Sequence, residues 1–189
     1  MITPIVTITG PSCSGKTYLE NYMSENGFVR LISHTTRKRR EGETDEDYFF
    51  VESAAEFAKI PMVETIRFEG NMYGLSVEEA DKKKKLGKPL VLGVTPLGRQ
   101  QIQEFCTANE GWLHIPVWVS APTEKRIARL AQRKDEKDTR QLEDRLHTML
   151  TTEHEWSSVE DGKEVYDLCF NRWGNPAPVV SMIKDLLVK

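Results

Sequence analysis

The sequence predicts an α/β fold in which a parallel sheet carries helices on both faces. Short apolar runs of strand character alternate with helical stretches along most of the 189 residues. The first such run, Ile5–Ile8, is followed by the letters GPSCSGKT, which fit the P-loop pattern G-x-x-x-x-G-K-[ST] between a strand and a helix. In a sheet of this kind, we expect the ligand beyond the carboxyl ends of the strands.

The amino-terminal half predicts strands and helices in turn. After the first strand, a helix begins near Lys16 and continues through 18–23. The elements predicted next are strands at 28–32, 48–51 and 62–68, a short helix at 53–58 capped by Ser53, a turn at 70–74, and a helix from Ser76 with acidic residues at its start and lysines at its end.

The carboxyl-terminal half continues the alternation. The sequence predicts strands at 89–94, 113–119 and 165–170, helices at 99–106, 123–133, 141–156 and 177–187, and a charged loop at 134–140. Extra strands between about 35 and 81 interrupt the pattern. We therefore expect one domain with core segments at about 1–34, 82–133 and 146–189, an inserted lobe at about 35–81 and a lid at about 134–145.

Composition excludes several functional classes. The 26 Lys and Arg against 29 Asp and Glu give a net charge of −3, which argues against a dedicated nucleic-acid binder. The longest apolar run, Tyr48–Val51, is far shorter than the roughly 20 residues of a membrane span. The three cysteines form no CxxC pair and are expected to be free thiols. We expect a cytoplasmic protein, monomeric or homodimeric, that binds neither nucleic acid nor membranes.

The P-loop pattern predicts a site for a nucleotide polyphosphate. Gly10 and Gly15 permit a tight loop whose backbone N–H groups turn towards phosphate oxygens. Lys16 supplies positive charge towards the β- and γ-phosphates, and the Thr17 hydroxyl can ligate Mg²⁺. The helix that begins near Lys16 directs its positive end at the same phosphates.

A second stretch, from Ser33 to Asp47, is suited to a phosphate monoester. It contains the run RKRR at 37–40, preceded by the small or hydrogen-bonding residues SHTT. Guanidinium forks bind phosphate oxygens in a bidentate manner, which favours a phosphate grip. A solvated charged loop is the alternative interpretation of the same run.

At this point the chain resembles the guanylate kinase family, over nearly its whole length. The matching pieces are GPSCSGKT, SHTTRKRREGETDEDYFFV, NMYG, the helix ending RLAQR, EDRL and the late CFN. The S-x-T-T-R-x-x-R core followed by D-Y-x-F is more specific than the P-loop. The resemblance implies a P-loop core with a nucleoside-monophosphate lobe and a mobile lid. It also implies transfer of the ATP γ-phosphoryl group to GMP or dGMP with Mg²⁺.

The resemblance implies an acceptor site made of two arginines, two tyrosine hydroxyls and a group that reads the base. The acceptor phosphate would be held by Arg37, Arg40, Tyr48 and Tyr73. Ser33 and Glu64 would bind the guanine base. The carboxylate of Glu64 can accept hydrogen bonds from the N1–H and the 2-amino group, which are adjacent donors on guanine. Thr95 belongs to the same implied site.

The resemblance also implies a donor site and a set of charge-stabilising residues. ATP would contact Gly10, Ser12, Cys13, Ser14, Gly15, Lys16, Thr17, Arg129 and, at the adenine, Asn171. The residues implied in catalysis are Lys16, Arg37, Arg133 and Arg145, and the metal ligand is Thr17.

Three positions depart from the family pattern. Leu75 stands where the family usually has Ser or Thr, and the residues LGVT at 92–95 stand where it usually has L-D-I-D, so that Gly93 and Thr95 replace acids. These changes keep open a deoxynucleoside monophosphate kinase of broader range, of the divergent kind that a phage encodes. A non-catalytic protein-binding module on the same fold is the alternative of another class, although such modules tend to lose the P-loop residues present here.

Overall fold

The computed structural model describes residues 2–68, 70–132, 139–153, 156, 159–160, 163–164, 166, 168–171 and 175–187. The strands are β1 (Thr3–Thr9), β2 (Val29–Arg30), β3 (His34–Thr35), β4 (Phe49–Phe50), β5 (Met62–Phe68), β6 (Asn71–Ser76), β7 (Leu90–Gly93), β8 (Trp112–Ser120), β9 (Val159–Glu160), β10 (Lys163–Glu164) and β11 (Leu168–Asn171). The helices are α1 (Lys16–Glu25), α2 (Ala54–Phe57), α3 (Val77–Lys84), α4 (Pro96–Ala108), α5 (Thr123–Ala131), α6 (Thr139–Leu150) and α7 (Ala177–Leu187).

A five-stranded parallel sheet forms the centre of the fold, in the order β11-β8-β1-β7-β2. Successive side chains of β1 point to opposite faces of this sheet. Val6 and Ile8 join one apolar core with Leu19 and Met23 of α1. Ile5 joins a second core on the other face, together with Leu90, Leu92 and Ile102. Helices therefore cover both faces, and the predicted α/β class is confirmed.

A second sheet has four strands in the order β4-β3-β6-β5, with antiparallel pairing of β6 to both β3 and β5. The register of β5 and β6 shifts between Met62 and Glu64, which is a β-bulge. A bulge turns a strand locally and redirects the side chains beside it. The sheet lies in the stretch where the sequence predicts an inserted lobe; the domain boundaries themselves stay a prediction.

Side-chain caps begin three of the helices. The hydroxyls of Ser53, Ser76 and Thr95 accept the backbone N–H groups of Glu56, Glu79 and Gly98, each at 3.2 Å. Each bond satisfies one of the N–H groups that the first helical turn leaves unpaired. The cap predicted at Ser53 is confirmed, and Ser76, where the sequence predicts the start of a helix, caps α3. At α5 the residue before the helix is Pro122, and Thr123, where the sequence predicts the helix to start, is the first helical residue.

Two other predicted elements differ from the structure. The residues 71–74, predicted as a turn, form part of β6, and the turn lies before it, where Gly70 has a φ of 78°. Gly74 serves close packing: a Cβ there would lie 2.6 Å from the Glu64 carbonyl oxygen of β5. The helix predicted at 141–156 is α6, which ends at Leu150. Most of the charged loop predicted at 134–140 lies outside the described residues.

Candidate active site

The P-loop leads from the carboxyl end of β1 into α1 and has the backbone geometry its glycines permit. Gly15 precedes α1 with a φ of 109°. Gly10 has a φ of 152°, and a Cβ there would lie 2.2 Å from the carbonyl oxygen of Val119. Between them, Cys13 adopts the left-handed region with a φ of 59°, which is uncommon for a residue with a side chain. The loop is therefore held in a strained, compact shape.

The side chain of Lys16 folds back onto the P-loop. Its Nζ atom donates to the carbonyl oxygens of Gly10 at 2.7 Å and Pro11 at 3.1 Å. A positive charge at this point faces the same space as the amino terminus of α1, where the backbone N–H groups carry partial positive charge. The arrangement is suited to binding a polyphosphate.

One cleft of about 630 Å³ brings most of the predicted site residues together. Its lining includes residues of the P-loop, of the 33–48 segment, of β5 to β7, of α5 and of α6. The predicted residues that line it are Ser12, Cys13, Gly15, Lys16, Thr17, Ser33, Arg37, Arg40, Tyr48, Glu64, Tyr73, Thr95, Arg129 and Arg145. The volume suits a small-molecule site.

Four predicted residues lie elsewhere or outside what the structure describes. Gly10 packs closely against the backbone of Val119, and Ser14 is fully buried. Neither residue lines the cleft. Arg133 lies outside the described residues. The backbone of Asn171 ends β11, beside Ser120, but its side chain is not among those the structure describes.

Glu43 organises the loop that carries Arg37, Arg40 and Tyr48, the arginine–tyrosine loop. Its carboxylate accepts two hydrogen bonds from the Arg37 guanidinium, at 2.7 and 3.0 Å, and the backbone N–H of Arg40 at 2.8 Å. Burial raises the pKa of Glu43, but the bonds from Arg37 and Arg40 outweigh it and hold this pKa below its usual range. The Arg37 guanidinium also stacks over the ring of Tyr48, 5.3 Å from its centroid. Arg37 is thus fixed in place at the edge of the cleft.

Two tyrosines stand beside this loop. The rings of Tyr48 and Tyr73 meet edge to face, with centroids 6.1 Å apart. Burial raises the pKa of Tyr48, with a further rise from the charge of Glu20, so its hydroxyl remains a hydrogen-bond donor at neutral pH. Both tyrosines and both arginines line the cleft.

Glu64 is a buried carboxylate that follows the bulge in β5 and faces the cleft. Its Oε1 atom accepts the backbone N–H of Leu75 at 3.1 Å, and the residue is 4% exposed. The Oε2 atom is buried and has no hydrogen-bond partner among the described residues. Burial raises the pKa of Glu64 to about 7. A Cβ on Gly98 would lie 3.1 Å from Oε2, so this glycine leaves the room that the carboxylate occupies.

A comparison with protein families now identifies the fold. Residues 2–169 match the family model described as guanylate kinase. The chain belongs to the guanylate kinase family. The family predicted from the sequence is thereby confirmed, and membership indicates an ATP-dependent nucleoside monophosphate kinase.

Individual relatives agree with this assignment. A guanylate kinase of Prochlorococcus marinus is 36% identical over 134 residues, 65% of this chain and 70% of that protein. The guanylate kinase of Latilactobacillus sakei is 32% identical over 109 residues, 54% of each chain. The alignments thus span between about half and 70% of the length of these relatives. The crystal structure of guanylate kinase from Anaplasma phagocytophilum has a TM-score of 0.62 at 19% identity, covering 98% of this chain and 85% of that one; it shows the shared fold.

The departures from the guanylate kinase pattern have distinct structural consequences. Leu75 carries no hydroxyl, and its side chain is fully buried in the second core. Thr95 caps α4 while also lining the cleft. The space beside Gly93 is filled by another residue: a Cβ on Gly93 would lie 3.4 Å from Oε2 of Glu20, whose Oε1 atom accepts the Gly93 N–H at 3.0 Å. The carboxylate of Glu20 on α1 therefore lies beside Gly93 of β7, the position at which the family usually has an acidic residue.

Sequence reasoning missed Glu20, Glu43 and Glu153 as cleft residues. Glu20 was open to prediction, because residues four apart on a helix share a face and Glu20 follows Lys16 by four. Burial raises the pKa of Glu20, opposed by the charge of Arg30, whose Nε atom is 3.7 Å from Oε1. Glu153 had no such signal, since it meets the P-loop across 141 residues of chain.

Two other classes of site are absent from the described residues. In these parts of the chain, no helix is long and apolar enough to cross a membrane. The same parts hold no cluster of three or more His, Cys, Asp or Glu side chains able to bind a metal ion.

Proposed function

We propose that this protein transfers the γ-phosphoryl group of ATP to GMP or dGMP in the presence of Mg²⁺. The observation that carries the proposal is that one cleft is lined by the P-loop, the arginine–tyrosine loop and the buried carboxylate of Glu64. A triphosphate on Lys16 and a monophosphate on Arg37 would share that cleft. Aligning two bound reactants in this way is a major source of rate acceleration.

The acceptor phosphate would bind the arginine–tyrosine loop. Hydrogen bonds to Glu43 and to the Lys38 carbonyl use three of the five guanidinium N–H groups of Arg37, so it keeps donors for a phosphate after Glu43 has fixed its orientation. Arg40 lines the cleft beside it. A nucleoside monophosphate has a second pKa near 6, so its phosphate is already anionic at neutral pH. The chain therefore needs no general base, and its contribution is alignment and charge compensation.

The base of the acceptor would be read by Glu64. Its unpaired Oε2 atom and its Oε1 atom can accept the N1–H and the 2-amino group of guanine, two adjacent donors that adenine lacks. A buried acceptor without a partner costs free energy, and guanine would remove that cost. Ser33, 9% exposed and lining the same cleft, is the second group proposed to contact the base.

The residues at the start of α1 fit a magnesium ion carried by the nucleotide. Mg²⁺ prefers hard oxygen ligands and is commonly bound by one or two protein groups plus phosphates and waters. The Thr17 hydroxyl and the Glu20 carboxylate are such groups, and both line the cleft. When bound with ATP, Mg²⁺ supplies charge neutralisation at the β- and γ-phosphates. Thr17 would hold the ion directly, and Glu20 would orient its water.

Arginines from the helices opposite the P-loop would complete the charge compensation. Arg129 of α5 and Arg145 of α6 line the cleft, and Arg129 donates to the Cys13 carbonyl at 2.7 Å. Arg133, Asn171 and the lid at about 134–145 stay predictions from the family pattern. The monomeric or homodimeric state, the absence of nucleic-acid partners and the cytoplasmic location stay predictions from the sequence. A kinase of broader range is the second candidate, favoured by Leu75, Gly93 and Thr95 at positions where the family usually has hydroxyl or acidic side chains.

A substrate panel tests the proposal. Wild-type protein is incubated with ATP, Mg²⁺ and each common ribo- and deoxyribonucleoside monophosphate, and ADP release is measured. We expect GMP and dGMP to be used at least about 100-fold better than AMP, because a site built to hydrogen-bond a substrate strongly rejects analogues that lack the donors. Lys16→Ala, which removes the P-loop charge, is the inactive control. Equal use of GMP and AMP would favour the broader-range kinase, and no ADP release with ATP binding absent would favour the protein-binding module.

A further inference from the structure

Glu153, three residues beyond the end of α6, is bonded to the P-loop. Its Oε2 atom accepts the backbone N–H of Ser12 at 2.8 Å, and its Oε1 atom accepts the Ser12 hydroxyl at 2.6 Å. The residue is 2% exposed. Both hydrogen-bond donors of Ser12, its backbone N–H and its hydroxyl, are therefore bonded to one buried carboxylate rather than directed at the space that a phosphate would occupy.

A buried anion beside a polyanion site needs a counter-charge, and Arg126 provides it. Its Nη1 atom lies 3.5 Å from Oε2 of Glu153, and both side chains are almost completely buried. Arg126 projects from α5 next to Thr123, whose hydroxyl its Nη2 atom contacts at 3.4 Å. Because this pair is close to neutral, Glu153 can hold Ser12 without strongly repelling a bound triphosphate.

The next residue of the P-loop is held from the same side. Arg129, one turn along α5 from Arg126, donates to the carbonyl oxygen of Cys13 at 2.7 Å. Cys13 has the left-handed backbone conformation, which a residue with a side chain keeps only when its surroundings impose it. The bonds from Glu153 and Arg129 fix the peptides on either side of this point.

We infer that Glu153 is a positioning residue that holds the P-loop in its phosphate-binding shape through Ser12. The inference rests on the proposed function, since it assigns a role in binding the donor nucleotide. In a P-loop the backbone N–H groups after the first turn must all point at the phosphates, and their direction depends on the peptides before them. With the Ser12 N–H fixed outwards by Glu153, the N–H groups that follow can turn inwards.

The test separates this role from a merely structural one. Glu153→Met alone would leave Arg126 buried without its partner, so the decisive variant is Glu153→Met combined with Arg126→Met, which replaces the buried pair by apolar side chains. Met149→Ala, at a fully buried position of α6, is the control for lost packing near the same place. Dissociation constants for ADP and for GMP are measured by calorimetry, with thermal unfolding of each variant.

We expect the double variant to unfold close to the wild-type temperature, to bind ADP at least about tenfold more weakly, and to bind GMP normally. Met149→Ala should unfold earlier and bind ADP like the wild type. Equal ADP affinity in the wild type and the double variant would overturn the inference alone. A wild-type protein that binds no ADP would overturn the proposed function, and the inference with it.

Discussion

Replacing Glu64 by Gln is expected to stabilise the nucleotide-free protein while weakening its use of GMP. Burial raises the pKa of Glu64 from 4.5 to about 7, so the folded state binds a proton that the unfolded state releases. The stability that this proton contributes is complete below pH 4.5 and is lost as the pH rises through about 7. A neutral Gln of the same shape avoids that loss.

The magnitude follows from the two pKa values. By linkage, the penalty on the wild type is less than about 1 kcal/mol at pH 5 and about 3 kcal/mol at pH 8. For a chain of this length, about 3 kcal/mol corresponds to roughly 6–12 °C in unfolding temperature. The Leu75 N–H keeps its acceptor in the variant, because the Gln carbonyl can replace Oε1.

The assay is thermal unfolding of wild type and Glu64→Gln at pH 5 and pH 8, without nucleotide. Glu52→Gln removes the same charge at an exposed position and serves as the matched control. We expect a gap between wild type and Glu64→Gln that widens from pH 5 to pH 8, and no such gap for Glu52→Gln. Equal unfolding temperatures of wild type and Glu64→Gln at pH 8 would refute a buried carboxylate whose ionisation destabilises the fold.

Three further predictions concern the same cleft. If guanine binds the ionised carboxylate of Glu64, as proposed, wild-type kcat/KM for GMP should rise between pH 6 and pH 8 by about fivefold to tenfold more than that of Glu64→Gln, which shares only the titration of the GMP phosphate; parallel profiles would contradict this. Gly98→Ala places a methyl group 3.1 Å from Oε2 of Glu64 and should lower kcat/KM for GMP about tenfold while ADP affinity, measured by calorimetry, stays unchanged. Glu20→Gln should raise the Mg²⁺ concentration that supports half-maximal ADP binding about tenfold. Adding Gly93→Asp, which places a carboxylate in the same space, should restore the wild-type value. An unchanged Mg²⁺ requirement in both variants would contradict a role of Glu20 at the metal.

Local signals were sufficient to predict the P-loop and most of the sheet. The motif at 10–17 requires glycines and a lysine within eight consecutive residues, so its shape depends on neighbours in sequence. The strands of the central sheet are short apolar runs, and two of the helix caps are serines directly before acidic first turns. These features can therefore be predicted from the sequence alone.

The errors and omissions depend on contacts between distant segments. Gly74 looks like a turn residue in the sequence, but it lies in β6 because its missing side chain lets β5 approach. Glu153 meets Ser12, and Glu20 meets Gly93, only after the sheet and helices have assembled. The contacts of Glu153 with Ser12 and of Glu20 with Gly93 leave no periodic or spacing signal in the sequence, although the spacing of Glu20 from Lys16 indicates that both share one face of α1.

The arginine–tyrosine loop was predictable only in part. Residue chemistry and the family resemblance both indicate its arginines, whereas the tyrosines are indicated by the resemblance alone. The anchoring of Arg37 by Glu43 adds what the letters alone do not give, namely a fixed direction for the guanidinium. Arg37 is thus held in one orientation before any ligand is present, so that the proposed binding of the acceptor phosphate would cost less side-chain entropy.

The comparison of GMP with IMP tests the central claim most directly. IMP keeps the N1–H of guanine but lacks the 2-amino group, so it removes one of the two donors proposed to meet Glu64. We predict that wild-type kcat/KM is about 10- to 100-fold higher for GMP than for IMP, the worth of one hydrogen bond to a charged group. In Glu64→Ala the ratio should fall to near one. An unchanged ratio in that variant would contradict base reading by Glu64.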